Sequence, residues 1–449
     1  MEDKIVRLSY KIKDLCKEFV ALPSYRPELS AVESYIADSL TYGEDGITGS
    51  SGQIRVETEI SSINMLSATF EKIRLTPEYE AVVDQIQNDF TEEKKCTLDQ
   101  FIPKIIHHIA QNKTLTKKQI QRYASRYISD LRSEFVLYRV RIGLVGLTLE
   151  SQAPIRLSAG VALRRPTVDD LSIKRMIGSP SFGHTNDPTA ILEFKVEDKP
   201  NSGVVAQKKA QRILTILRLF CVGSIQRTTL TATSKSLLYP STGVVFSGNI
   251  KSPDRYYLRM TEENSLRKFI KNLQAKLPDV VINETLDDEI GISYDRYKQA
   301  LTEKNPLELR ISNIIMGLEA LYCTKDENTE VNYRLKNRVA KLSQHLGYEP
   351  LTTRDLIALA YDVRSRYSHG EKTNQSKLAR FKELSEALGS EHALMNILRM
   401  SIVLFCELNA DNKPEDPPVK QNVIQLCDES FISNDKAAVL GSMIKSRTH

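Results

Sequence analysis

The part of the chain after residue 286 carries one apolar stripe after another at helical spacing. In the first stretch, NPLELRISNIIMGLEALYC, four apolar residues share one helix face: Ile311, Ile315, Leu318 and Tyr322. The next stretch, NYRLKNRVAKLSQHLG, repeats the pattern and ends at Gly347, a typical helix stop. A third helix is predicted in TTRDLIALAYDVRSRYSHG, and two more follow it. Short connections between amphipathic helices favour an all-α, up-and-down bundle over residues 286–412.

The chain before this bundle shows a different periodicity. From about residue 135, stretches such as YRVRIGLVGLTLE, IRLSAGVAL and AILEFKVE alternate or run apolar like strands, and the strongly apolar SGVVAQKKAQRILTILRLFCV lies among them as a helix. The glycine-rich stretch 43–53 is predicted to be a loop. We therefore predict an α+β multidomain protein with four parts: a mainly helical N-terminal region over 1–134, a mixed α/β domain over 135–285, the bundle over 286–412, and a linker with a C-terminal tail over 413–449.

The composition argues against several classes of protein. The six cysteines lie far apart, and no two have the spacing of zinc ligands or of a redox motif, so neither metal nor cofactor is expected. The N-terminus lacks a signal-peptide core, and no apolar run is long enough to cross a membrane. A cytoplasmic protein without membrane contact is therefore predicted. The net charge of +5 is too small to indicate a nucleic-acid partner by itself.

Arg364 has an unusual position in the third bundle helix, within YDVRSRYSHG. An ideal helix turns by about 100° per residue, which places Arg364 at about 80° from Leu356, inside the apolar arc of the helix. An arginine in such an arc needs a partner, because an unpaired buried charge is very costly. Two hypotheses remain open. Arg364 either forms an internal ion pair, for which Glu319 is the natural partner, or faces a cleft or a second subunit.

His369 closes the same helix. Gly370 follows it and suits the left-handed conformation that commonly ends helices. Because terminal residues splay and arginine is long, Arg364 and His369 can converge on one small anion. Their spacing alone arises too often by chance to be evidence, so the surrounding sequence must decide.

That surrounding sequence resembles the HEPN family, within its Apea-like branch. The matching segments are RISNIIMGLEALY (310–322), NRVAKL (337–342) and YDVRSRYSHG (361–370), which occur in family order within residues 286–410. The segments VGLTLE, GVALRRPT and LRLF of the preceding domain are weaker matches. Ser365 follows the arginine where the family often has asparagine, aspartate or histidine, and the Apea-like branch tolerates serine there.

The resemblance implies a helical bundle that usually forms a homodimer through its signature helices. In active family members, arginine and histidine residues of both subunits meet and form a metal-independent ribonuclease site. Arg364 and His369 are accordingly the candidate catalytic residues, and the candidates that support the site are Glu319, Tyr361, Ser365 and Arg366. Such sites are common in prokaryotic antiviral defence and toxin systems, whereas many other HEPN domains are inactive scaffolds.

The chemistry of the two residue types suits RNA cleavage, in which the 2′-hydroxyl attacks the adjacent phosphate. His369 can move a proton near neutral pH, and Arg364 can hold positive charge against the phosphorane. The expected product carries a 2′,3′-cyclic phosphate. The expected partners are RNA, such as tRNA, a second copy of the chain, and a regulatory or sensor protein. The alternative is a non-catalytic assembly module that binds a protein or nucleic-acid partner.

A basic helix in the N-terminal region is a second candidate surface. Residues 104–141 hold nine Lys/Arg and two Asp/Glu, and Lys118, Arg122 and Arg126 recur every four residues along one stripe. Tyrosines are interleaved with these cations, so the helix could grip phosphates and stack bases. The alternative interpretation is a solvated basic face whose tyrosines belong to the core.

Overall fold

The computed structural model describes most of the chain: residues 1–16, 33–43, 46–55, 69–90, 98–99, 101–102, 105–106, 116–168, 170, 187–199, 203–234, 236, 242–245, 255–303, 305–327 and 330–445. These residues contain both sheet and helix, and those after residue 260 are helical. The predicted mixed α+β character and helical C-terminal part are therefore confirmed.

Ten strands occur in the described residues: β1 Glu33–Gly43, β2 Gly46–Arg55, β3 Val136–Val145, β4 Leu147–Leu149, β5 Ile155–Ser158, β6 Val161–Arg164, β7 Ala190–Asp198, β8 Gln226–Ser234, β9 Thr242–Val245 and β10 Tyr256–Leu258. The α-helices with bounds given in the described residues are α1 Glu2–Leu15, α2 Pro77–Asp89, α3 Lys117–Arg132, α4 Val204–Phe220, α5 Glu263–Gln274, α6 Asp279–Asn283, α7 Glu289–Thr302, α8 Leu307–Tyr322, α9 Val331–His345, α10 Pro350–Ser368, α11 Gln375–Ala387, α12 Ala393–Asp411, α13 Val419–Glu429 and α14 Asn434–Lys445.

The chain divides into two compact units, each built from separate stretches of sequence. Unit 1 comprises residues 1–143, 160–207 and 227–248, and unit 2 comprises residues 144–159, 208–226 and 249–449. The division of the chain at residues 134, 285 and 412 stays a prediction.

Unit 1 is built on a sheet whose strands run in the order β1-β2-β9-β8-β3-β7-β6. The pairs β1–β2, β2–β9, β8–β9 and β6–β7 are antiparallel. Along β7 buried and more exposed residues alternate, as expected for a strand with one face on a core. Strands are present in the three stretches predicted to contain them, 138–150, 155–163 and 190–197.

The N-terminal region departs from its prediction in two places. Glu33–Gly43, within a region predicted to be mainly helical, forms strand β1. The prediction of a loop in the glycine-rich stretch 43–53 is wrong, because Gly46–Arg55 forms strand β2 between β1 and β9. Glycine and serine have low strand propensity, so composition predicts a loop, but two neighbouring strands pair with this backbone from both sides. Helices α1, α2 and α3 lie in this region.

Unit 2 consists mainly of the helices that the apolar stripes predict. The four residues of the first stripe are all fully buried on α8: Ile311, Ile315, Leu318 and Tyr322. Helix α8 packs against α7, α10 and α12, and α10 also packs against α9 and α11. Among the described residues, α12 is the one helix long and apolar enough to cross a membrane, and 61% of its apolar window is buried within the protein, as in a core helix.

Gly146 is a glycine whose conformation and surroundings both exclude a side chain. Its φ is +77°, and an added Cβ atom would lie 2.1 Å from the backbone oxygen of Ser224. Gly160 has a similar φ of +72°, but its Cβ position is open. We expect Gly146→Ala to lower the free energy of unfolding by about 3 kcal/mol and Gly160→Ala by about 1 kcal/mol, as measured by urea denaturation. Equal losses would show that the contact with Ser224 does not matter.

Candidate functional site

Helix α10 carries the signature stretch, and both of its ends are well defined. At its start Pro350 has a favourable first position, and the Glu349 side chain accepts hydrogen bonds from the backbone N–H groups of Leu351 and Thr352. At its end the His369 N–H donates to carbonyls of the last turn, and Gly370 follows with φ +75°. The helix stop predicted at Gly370 is confirmed.

The buried face of α10 ends one turn before the helix does. Its buried residues are Thr353, Leu356, Ile357, Ala360 and Val363. Tyr367 falls on the same arc by angle, yet it is 40% exposed. The last turn and the stop that follows therefore reach beyond the core, and residues 367–370 all lie at the surface.

Arg364 lies at the edge of this buried face and pairs with Glu319 of α8. One guanidinium nitrogen lies 3.3 Å from a carboxylate oxygen, and the guanidinium lies 5.6 Å from the ring centroid of Tyr361. The internal ion pair expected under the first hypothesis is therefore present. It is a single long contact, not a bidentate pair, and the Nε of Arg364 is buried with no hydrogen-bond partner in the described residues.

Arg364 thus keeps donors that its protein partner does not use. Its side chain is 30% exposed, so it can be reached from outside the bundle. An arginine fork offers five N–H donors, of which the Glu319 contact occupies one. This arrangement holds the cation in place while it leaves room for an incoming anion.

The surroundings weaken the ionised form of Glu319. Burial raises the pKa of this carboxyl group, and the positive charge of Arg364 opposes the shift. The pKa of Tyr361 is also raised, first by burial and then by the negative charge of Glu319, so its hydroxyl group stays protonated at neutral pH. Arg364, Glu319 and Tyr361 therefore form one electrostatic cluster, in which Arg364 contacts a carboxyl group whose pKa is raised.

This cluster makes a pH-dependent prediction. Because the folded-state pKa of Glu319 is raised, the folded state favours its protonated form, and that stabilisation is lost as the pH rises through the folded pKa. Relative to Glu319→Gln, the wild-type protein should therefore be more stable at pH 4.5 than at pH 7. Urea denaturation at both values measures the difference, with exposed Glu386→Gln as the control. A difference of the opposite sign would show that Arg364 outweighs burial.

His369 is not joined to this cluster within one chain. Its ring is exposed and forms no hydrogen bond or ion pair with any residue that the structure describes. The structure therefore brings Arg364, Glu319 and Tyr361 together, whereas His369 stands alone at the end of the helix.

The other two candidates help to form the last turn. The Ser365 carbonyl accepts the His369 N–H at 3.2 Å. Arg366 lies 3.3 Å from Asp362 and 3.3 Å from Glu371, so it is engaged away from the Arg364 cluster. Sequence reasoning missed Asp362 and Glu371, although the spacing of four residues between Asp362 and Arg366 is typical of a helical ion pair.

The basic helix α3 begins at a well-defined cap and carries its candidate cations on the surface. Its capping box is present, with reciprocal bonds between Thr116 and Gln119. Lys118 and Arg122 are exposed, while Arg126 is half-buried and has an electrostatic partner.

The interleaved tyrosines of this region belong mainly to the interior. Tyr127 and Tyr138 are 0% and 4% exposed, so neither can stack on a nucleic-acid base. Tyr123 is half-buried, and burial raises the pKa of its hydroxyl group. The alternative interpretation, a solvated basic face over core tyrosines, fits these contacts better than a base-stacking platform does.

Comparisons with family models, with curated proteins and with solved structures gave no match to this chain. Within the described part of the chain, no group of three or more His, Cys, Asp or Glu side chains is placed to hold a metal ion. The function must therefore be argued from the geometry of α10 and its neighbours.

Proposed function

We propose that this protein is a metal-independent RNA endonuclease of the HEPN type, with Arg364 and His369 as its catalytic residues. The proposal includes a HEPN-like bundle within a multidomain chain and a cytoplasmic role as an effector of antiviral defence or of a toxin system. One observation carries it: a half-buried arginine with unused donors and a histidine with an unengaged ring lie on the last two turns of one helix.

In this proposal Arg364 binds the scissile phosphate. Its contact with Glu319 orients the guanidinium group, and the donors left over bind the oxygens on which negative charge develops. Because burial makes Glu319 a weak competitor, an incoming phosphate can displace its single contact at low cost. Glu319 is then a positioning residue and not a catalytic one.

His369 supplies the proton transfer. It takes the proton of the attacking 2′-hydroxyl or returns one to the leaving 5′-oxygen, and the RNA strand ends in a 2′,3′-cyclic phosphate. The bond between the 2′-oxygen and phosphorus forms as the bond between phosphorus and the 5′-oxygen breaks, so the step consumes no water. DNA lacks the attacking hydroxyl and should resist cleavage.

The site also requires a second copy of the chain. Within one chain Arg364 and His369 do not contact each other, and the last turn of α10 is exposed together with Tyr367. Two copies that pack through these exposed turns would place two arginines and two histidines around one RNA strand. Sedimentation equilibrium should therefore show a dimer, and charge placed at Tyr367 should weaken it.

The direct test is incubation of the purified protein with tRNA and total RNA in the presence of EDTA. We expect wild-type protein to cut RNA and to leave 2′,3′-cyclic ends, and we expect Arg364→Ala and His369→Ala to lose this activity. Cleavage that persists in both variants would contradict the proposal. Induced expression of the wild type beside His369→Ala, with growth and RNA integrity followed together, tests the role as a toxic effector.

A non-catalytic assembly module is the second candidate. The ion pair between Arg364 and Glu319 favours it, since this pair accounts for the arginine without any RNA. A module of this kind would keep its biological function in His369→Ala and lose it when the last turn of α10 is disrupted. Loss of function in a folded, dimeric His369→Ala protein would contradict it.

A further inference from the structure

Unit 2 contains a cavity of about 640 Å³ with a strongly cationic lining. It is formed by β5, α4 and α5, on segments other than the signature helix. Its charged and apolar lining residues are Arg212, Arg267, Lys268, Lys271, Leu157 and Ala275. None of the described residues that line it is acidic.

The two arginines of the cavity are held in place by neighbouring groups. Arg267 donates from Nε to the carbonyl of Arg156 at 2.9 Å, and a second guanidinium nitrogen lies 3.0 Å from Glu263. Arg212 donates to the carbonyl of Gln274 at 2.6 Å. The third guanidinium nitrogen of Arg267 donates to the Asn264 side chain at 2.7 Å, so every nitrogen of this group has a protein partner. The Arg212 and Arg267 side chains are 33% and 39% exposed, so both keep their charge within reach of solvent.

The two lysines of the cavity are unengaged. Lys268 and Lys271 lie on one face of α5, three residues apart, and both are exposed. Neither forms a hydrogen bond or an ion pair with any residue described by the structure. Lys268 and Lys271 are therefore free to bind an anion.

The charges near the cavity do not balance. Two carboxylates outside the lining contact two of the four cations: Glu263 contacts Arg267, and Asp279 contacts Arg212. The side chain of Asp279 is 86% exposed and lies 3.6 Å from Arg212, so water screens most of its effect. The cavity therefore keeps a positive excess of at least two charges, and we expect it to attract a ligand with several negative charges.

We propose that this cavity binds the phosphate backbone of single-stranded RNA and is a substrate-binding site distinct from Arg364 and His369. This inference rests on the proposed function, since it takes RNA as the substrate. The lining has no aromatic ring on which a base could stack, which favours contacts to phosphates over recognition of a free nucleobase. Binding should accordingly depend on salt and tolerate changes of base sequence.

The test measures binding of a fluorescein-labelled, single-stranded RNA to the full chain by anisotropy. All proteins carry His369→Ala, so that RNA cleavage does not interfere. The cavity variant is Lys268→Glu with Lys271→Glu. Its matched control, Lys413→Glu with Lys445→Glu, changes the net charge equally at exposed lysines outside the cavity. Circular dichroism confirms that both variants are folded.

We expect the cavity variant to raise the Kd about tenfold or more at low salt and the control variant to raise it less than about twofold. The slope of log Kd against log salt should fall by about 1.4 in the cavity variant, since each lost phosphate contact on a single strand contributes about 0.7. Equal weakening in both variants, or none in either, would overturn the proposal. Displacement of the RNA by polyglutamate as effectively as by unlabelled RNA would overturn it in favour of an acidic protein ligand.

Failure of this inference is distinguishable from failure of the proposed function. The binding measurement uses protein that cannot cut, and the cleavage measurement uses wild-type protein. RNA binding that depends on Lys268 and Lys271, together with no cleavage by the wild-type protein, would contradict only the proposed nuclease function. RNA cleavage by the wild-type protein, together with RNA binding that does not depend on Lys268 and Lys271, would contradict only the proposal that the cavity binds RNA.

Discussion

Replacement of His369 by alanine is expected to slow RNA cleavage by about 10²- to 10⁴-fold, the usual contribution of a positioned acid or base. The ring is exposed and has no side-chain partner in the described part of the chain, so its removal should leave the fold intact. The loss should appear in the rate of the chemical step under single-turnover conditions. Replacement of Arg364 by alanine should cost about 10²- to 10³-fold, since one fixed donor set for the developing charge is removed.

A matched histidine elsewhere in unit 2 is the control. His392 precedes α12, is half-buried, and lies 3.5 Å from the neighbouring Glu391. His392→Ala should leave the cleavage rate unchanged within about twofold, because no catalytic role is assigned to it. Equal losses in His369→Ala and His392→Ala would indicate a general effect on stability. Unchanged rates in both would remove His369 from the mechanism.

Replacement of Arg338 by alanine is expected to lower the free energy of unfolding by about 3–5 kcal/mol, the cost of breaking a buried ion pair. The Arg338 side chain is 1% exposed and lies 2.6 Å from Glu327 and 2.7 Å from Asp428. It also donates to the carbonyl of Tyr322 at 2.8 Å. This one guanidinium group therefore ties α13 of the C-terminal tail to α9 and to the end of α8.

Arg334 provides the control for this measurement. It lies 2.8 Å from the same Glu327 but is 40% exposed, so Arg334→Ala should cost less than about 1 kcal/mol. Urea denaturation of both variants compares a buried and an exposed partner of one carboxylate. Similar losses in the two variants would show that burial of Arg338 does not set the strength of the network.

The ion pairs of Arg338 also predict how the stability of the protein depends on pH. Hydrogen bonds from Arg338 are the main cause that lowers the pKa of Glu327 to about 2. A depressed pKa stabilises the folded state above the ordinary glutamate pKa, and this stabilisation is lost as the pH falls toward about 2. In Arg338→Ala the loss between about pH 4 and pH 2 should be smaller, because the ionised form is no longer favoured.

The helices of unit 2 were largely predictable from their apolar periodicity. Ile311, Ile315, Leu318 and Tyr322 are buried as their spacing indicates, since an α-helix turns the same residues toward one side wherever it packs. The conflict at Arg364 was also visible, because a charge within an apolar arc requires a partner. The choice of Glu319 followed from its place beside the neighbouring stripe, and the structure has that contact.

Features formed by distant segments were not predictable in the same way. The strand Gly46–Arg55 exists because two other strands pair with it, although its composition is that of a loop. Tyr127 and Tyr138 alternate with cations in sequence, yet both lie in the interior. In each case the local sequence allows two outcomes, and packing against another part of the chain selects one.

The sequence by itself determined the apolar stripes of the unit 2 helices, the helix end at Gly370, and the presence of one arginine that its helix could not leave unpaired. Only the tertiary structure decided that Arg338 forms buried ion pairs with both Glu327 and Asp428. It also decided that one cavity is lined by four cations, Arg212, Arg267, Lys268 and Lys271. The physical reason is the sequence separation over which each kind of interaction acts. Helical periodicity and capping act within about four residues, whereas ion pairs and cavities depend on which distant segments pack together.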